Sequence, residues 1–182
     1  PEAFGDDFDI PESGNSVSDV LDEARYELEW LLKMQASDGG VYHKVTCANF
    51  PETVMPEEEV DQLIVLPVST TATGDFAAVM AMAYEVYADV DSAFADTCLT
   101  AAKKAAAYLD NNENQAFTNP EDVVTGEYPD NFDEDERFWA YAELLKATKD
   151  EAYEKAVEGI DLDKVKYGLG WADVGYYGAY AY

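Results

Sequence analysis

Basic residues are scarce in this chain: eleven Lys and Arg stand against thirty-nine Asp and Glu, a formal net charge of −28. Nucleic acids and anionic membranes both need a basic face, so neither is expected as a partner. Such a surface repels itself, and added salt or divalent cations should stabilise the fold. There is one histidine, His43. A single imidazole cannot build a His-rich zinc site or, with no nucleophile motif in view, a conventional triad. Cysteine is limited to Cys47 and Cys98. Two thiols make no disulfide framework, and the sequence leaves their state open. No apolar run approaches the ~18 residues of a membrane span. GxSxG, HExxH, P-loop and GxGxxG motifs are all missing.

What is present suits a folded domain. The chain is 182 residues long, 48% hydrophobic and 13% aromatic. That is enough for one core and too aromatic for a disordered acidic segment. Residues 1–182 therefore read as a single domain. The opening PEAFGDDFDIPESGN reads as a mid-protein loop, which points to a mature product or an excised piece.

SVSDVLDEARYELEWLLKMQ (16–35) is an amphipathic helix with an apolar stripe from Val17 to Leu32. Ser16 or Ser18 can cap it, and Asp19, Asp22 and Glu23 suit its N-terminal end. ASDGG ends it, and the alternation of VYHKVT (41–46) predicts a short strand or hairpin. Residues 47–67, broken by Pro51, Pro56 and Pro67, read as irregular. After Asp75, helix 69–90 is apolar around most of its circumference and should be buried on several sides. Helices over 91–110, 133–150 and 151–160, a long loop at 111–130 and a short aromatic helix at the end complete about six helices. Alternately buried and amphipathic, they suit two concentric layers. No near-identical repeat is evident.

VTGEYPDNFDEDERFWAYAELL (124–145) crowds Glu127, Asp130, Asp133, Glu134, Asp135 and Glu136 against a helix start. Three readings are open. The helix dipole favours a solvated acidic first turn. A cation could gather several of the carboxylates, since calcium takes six to eight oxygens, although the DxDxDG spacing of an EF-hand is missing. Glu127 or Asp130 could belong to a glycosidase pair, but neighbouring carboxylates on one charged turn rarely split into one raised and one normal pKa. Asp173, in a second loop-to-helix turn, is the natural remote member of a cation site. Among the aromatic residues of the last third, Tyr128 and Trp171 fall in loops and could serve as sugar platforms. His43 reads as a structural residue that could also hydrogen-bond a polar ligand.

IPESGNSVSDVLDEARYELEWLLKMQ, GGVYHKVT, PVSTTATGDFAAVMAMAYEVY, TGEYPDNFDEDERFWAYAELLKAT and GWADVGYYGAYAY together resemble glycoside hydrolase family 9, the bacterial cellulases, over essentially the whole chain. The resemblance implies an all-α (α/α)6 toroid, here about half of the barrel, and a secreted endo-β-1,4-glucanase that inverts its substrate, cellulose or a related β-glucan. It places the catalytic base in an upstream DAGDxxKY-type motif and the acid in a downstream Glu. Neither motif occurs here, so no catalytic residue is assigned within the chain and the isolated piece is expected to be inactive. It carries a structural Ca²⁺ onto Asp135, Glu136 and Asp173, with Asn131 as a weaker ligand. It carries cleft-lining roles onto Tyr128 and, less directly, His43 and Asp130. Zinc has little support. The alternative class is a non-catalytic, calcium-stabilised glucan-binding or assembly module. Half a toroid would also leave apolar helix faces open to self-association or to the rest of the barrel.

Overall fold

The computed structural model describes residues 4–182, so the first three residues of the expected N-terminal loop lie outside the described residues. Residues 4–18 form no regular element and lead into α1 (Asp19–Leu32). Ser18 stands at its N-cap without a side-chain bond. Ser16 is in the left-handed region (φ 74°), and its N–H is donated to Asp6. Neither expected serine cap forms. Asp19 does the local work instead: one carboxylate oxygen takes the Phe8 N–H and the Ser13 hydroxyl, pinning the loop to the helix. Gly39 ends the turn after α1 at φ +109°, where a Cβ would lie 2.4 Å from the Lys104 carbonyl oxygen.

The expected strand at 41–46 is present but split. β1 (Val41–Tyr42) and β2 (Val45–Thr46) flank His43 and Lys44. Their antiparallel partners were not read as strands: β3 (Ile64–Val65), within the stretch read as irregular, pairs with β2, and β4 (Val68–Ser69), at the expected helix start, pairs with β1. Pro67 has no N–H to give, which interrupts the ladder, although its carbonyl accepts from His43 N–H. A single 3-10 turn, Pro56–Glu58, lies on the excursion between β2 and β3.

α2 (Thr70–Tyr87) starts at Ser69, whose hydroxyl accepts the Ala72 N–H. α3 (Ser92–Asn111) starts at Asp91, which accepts from Phe94 N–H. Both helices put small residues into their contact: Ala77, Ala81, Ala95, Ala102 and Ala105 are almost wholly buried, with Cys98 sealed among them. Small side chains let the backbones approach closely, which explains why an Ala-rich sequence is core here. α4 (Glu134–Thr148) packs on the other side of α2 and buries Phe138, Tyr141 and Leu144. It ends at Lys149 in the left-handed conformation, and α5 (Glu151–Glu158) follows after a turn capped by Asp150. α6 (Gly175–Ala181) returns onto α4. Among the described residues there are six α-helices, with α2 and α4 innermost, which matches the expected all-α pattern. Among the described residues no helix is long and apolar enough to cross a membrane. Both cysteines are free, Cys47 half-buried and Cys98 buried.

Candidate functional site

Three loops meet at the N-terminal ends of α2, α4 and α6. The first is the β1–β2 break. His43 stacks flat on Phe117, ring centroids 4.0 Å apart, and its Nδ1 lies 2.9 Å from the Ser69 hydroxyl. Burial holds its pKa below the ordinary histidine value. Lys44 reaches over the Phe117 and Tyr128 rings and donates to the Gly126 carbonyl. Burial lowers its pKa too. The strand thereby clamps the 112–133 loop, with a second tie between the Thr46 and Thr125 hydroxyls at 2.9 Å.

Tyr128 sits on that loop at φ 53°, an unusual conformation for a bulky residue. It meets Trp171 edge to face, with centroids 5.8 Å apart. The two rings are 59% and 61% exposed, so their remaining faces are open to a ligand. A cavity of 360 Å³ opens on the other side of the β1–β2 break, where Trp30, Tyr42, His43, Lys44, Asp75 and Phe76 are among its walls. Phe117, on which His43 rests, was not singled out by the sequence because a lone aromatic in a polar loop carries no pattern.

The acidic stretch separates into distinct environments. Glu127 accepts from the Asn119 N–H at 2.9 Å. Asp133 makes no side-chain cap but pairs with Arg137 at 2.9 Å, and that guanidinium ties α4 to the end of α3 by donating to the Leu109 and Asn112 carbonyls. Asp130 is buried, and its Oδ1 is held by Lys166 Nζ at 3.0 Å. Asp135 is buried and accepts the Val174 N–H at 2.9 Å, fixing the start of α6. Burial raises its pKa. Glu136 is also buried, with both oxygens lacking a hydrogen-bond partner. It packs on Gly74, where a Cβ would come within 2.5 Å of Glu136 Cβ. Asp75, one residue along, is the acid that the sequence reading passed over. Burial, with Asp135 and Asp130 nearby, pushes its pKa up to about 7. Burial and the Asp75 charge raise Glu136 strongly. A neutral, protonated carboxyl removes the cost of burying an unpaired charge.

The four residues expected to hold calcium make different contacts, although Asp135 Oδ1 and both Glu136 oxygens are buried without a hydrogen-bond partner. Asp135 faces the α6 start and Glu136 faces α2. Asp173 is half exposed, 3.7 Å from Lys166 Nζ, and the Asn131 carbonyl accepts from the Asn114 side chain. Among the described residues, no three His, Cys, Asp or Glu side chains are grouped to hold a metal ion. The cation seated between the Asp130 and Asp173 loops is the Lys166 ammonium.

A family model for glycosyl hydrolase family 9 matches residues 2–181. Endoglucanase D of Acetivibrio thermocellus is 38% identical over 179 residues, covering 96% of this chain and 29% of that protein. A xyloglucan-specific endo-β-1,4-glucanase of Bacteroides ovatus is 37% identical over 185 residues, with 95% and 31% covered. A crystal structure of a thermostable endoglucanase mutant (D468A) from Alicyclobacillus acidocaldarius superimposes with a TM-score of 0.88 at 40% identity, over 96% of this chain and 34% of that one. This chain thus spans about a third of the length of these relatives. The helical pairs described above have the (α/α)6 type of fold, and the chain belongs to glycosyl hydrolase family 9.

Proposed function

We propose that this chain is part of the catalytic module of a secreted endo-β-1,4-glucanase acting on cellulose or a related β-glucan with inversion. It contributes one wall of the substrate cleft, and the general base and general acid lie elsewhere in the module. The observation that carries this reading is the exposed Tyr128–Trp171 pair beside the His43–Phe117 stack. Pyranose rings present apolar C–H faces that aromatic rings accept. Polar groups at the edge of such a platform fix orientation, as in most carbohydrate and small-molecule sites.

An inverting pair needs two carboxyl groups facing each other across the bond, with room for water between them. Glu127 and Asp130, the acids flanking Tyr128, are committed to Asn119 and Lys166. That supports a binding role for this segment and a catalytic pair outside it. Extracellular action follows from the substrate class, since polymeric glucans do not enter cells. Purified chain should leave carboxymethylcellulose intact while giving a binding heat with cellohexaose that Trp171→Ala abolishes. Hydrolysis by the highly purified chain would overturn the division of labour and return attention to Glu127 and Asp130. No heat at millimolar cellohexaose would overturn the binding wall.

A further inference from the structure

We infer that Lys44 is a positioning residue for the sugar platform: its ammonium, bound to the Gly126 carbonyl and set over the Tyr128 ring, holds Tyr128 in a conformation that the 112–133 loop would not keep by itself. The inference rests on the glucan-binding reading of that ring. Tyr128 is in the left-handed region at φ 53°, which a bulky residue seldom enters. Pro129 follows it, and a residue before proline is ordinarily pushed to extended backbone. Such a conformation persists only where the surroundings over-determine it.

The restraints converge on the residues just before the ring. Lys44 Nζ donates to the Gly126 carbonyl. The same ammonium lies 5.5 Å from the Phe117 centroid and 6.0 Å from the Tyr128 centroid, within reach of both π faces. Val124 N–H is donated to the Ala48 carbonyl at 2.8 Å, and the Asn119 side-chain amide to the Thr125 carbonyl at 2.7 Å. Of these ties, the Lys44 ammonium alone touches both the loop backbone and the Tyr128 ring. The ring in turn folds back on Gly126, where a Cβ would lie 3.1 Å from Tyr128 Cε2 and 3.4 Å from its Cζ. Among the described residues no carboxylate forms an ion pair with Lys44, so even in this acidic chain its charge is directed at a carbonyl and two rings. Tyr128 meets Trp171 edge to face, and a shift of the one ring changes the surroundings of the other. A ring held in place before the sugar arrives needs no ordering on binding. Without Lys44 the loop samples other conformations, and apparent affinity falls with the fraction still seated.

The test uses the chain with 5-fluorotryptophan in its three tryptophan positions, read by fluorine resonance without ligand, and then cellohexaose calorimetry. The Trp171 line is the one lost in Trp171→Phe. Tyr128→Asn, which tolerates the left-handed backbone, shows where that line moves when the neighbouring ring is gone. Lys44→Met keeps the stem and removes the charge and the donor. It should move the Trp171 line toward the Tyr128→Asn position, leave the line of the core residue Trp139 in place and weaken cellohexaose binding roughly tenfold. Lys44→Arg should restore both the line and the affinity. A Trp171 line unmoved in Lys44→Met would overturn the inference, as would wild-type affinity in a variant whose line has moved. Displacement of the Trp139 line as well would also overturn it, because the lysine would then support packing in general. If Lys44→Met does not fold, Lys44→Gln, which keeps a donor and loses the charge, takes its place under the same readouts. Gly126→Ala approaches the ring from the other side and should displace the Trp171 line with Lys44 intact; an unmoved line there refutes the fold-back on Gly126. No heat from the wild type defeats the glucan-binding reading and leaves the Trp171 line to decide on Lys44.

Discussion

Asp75 and Glu136 are acids kept in an environment that prefers them neutral, and the consequence for pH can be worked out. Burial raises the Asp75 pKa from an ordinary 3.8 to about 7, and Glu136 and Asp135 shift in the same direction. Between those two values the unfolded chain has released the Asp75 proton while the folded chain still holds it. Proton binding then favours the folded state less with each unit of pH, so stability should fall as pH rises from about 4 to 7. Asp75→Asn removes the Asp75 share of this dependence. Its melting temperature should match wild type near pH 4 and exceed it by pH 7, by an amount equivalent to about 2–4 kcal/mol. Melting curves at a series of pH values check it, and a constant gap between the two proteins would refute it. Lowered acids such as Asp6 and Asp91 act in the opposite sense, at pH below the ordinary carboxylate range. The sequence showed the acidic crowd but not which members were sealed away. That depends on Gly74 letting α4 approach α2, and nothing local to 124–145 encodes it.

The helix elements were readable because each carries its own signal: an apolar run for α2, an Ala-rich face for α3, and acids followed by aromatics for α4. The paired strands were half readable. The alternation of 41–46 is visible, but its partner 64–69 is short, contains Pro67 and pairs across a long excursion. The α2–α4 contact gives an element-scale prediction. Gly74→Ala would place a Cβ 2.5 Å from Glu136 Cβ and 3.0 Å from the Glu136 carbonyl carbon. The helices must separate, so overpacking should cost about 1–3 kcal/mol, measured by denaturant unfolding. Ser69→Ala should cost about 0.5–2 kcal/mol through loss of the α2 cap. Because the same hydroxyl contacts His43, it should also loosen the stack on Phe117. A Ser69→Ala chain with unchanged stability would show that the cap carries no weight.

At the scale of the whole molecule, two forces oppose each other. The net charge of −28 keeps copies apart. Yet Tyr176, Tyr180 and Tyr182 on or beside α6, and Tyr26 and Trp30 on α1, lie exposed. Burying such area is favourable by about 25 cal/mol per Å². Salt screens the repulsion and leaves the apolar attraction, so sedimentation should show a monomer at low ionic strength and larger species as sodium chloride rises. The melting temperature should climb over the same range. A species distribution independent of salt would mean that charge does not govern assembly. These faces follow from composition and periodicity.

Cys98 gives this core a built-in clock. It has no exposed surface, it lies in the α2–α3 seam, and burial pushes its thiol pKa up to about 11. A thiol reagent can reach it only while that seam is apart, whereas Cys47 stays partly accessible. The slow phase of labelling therefore counts the openings of the α2–α3 seam, one event at a time, without denaturant and without a probe added to the protein.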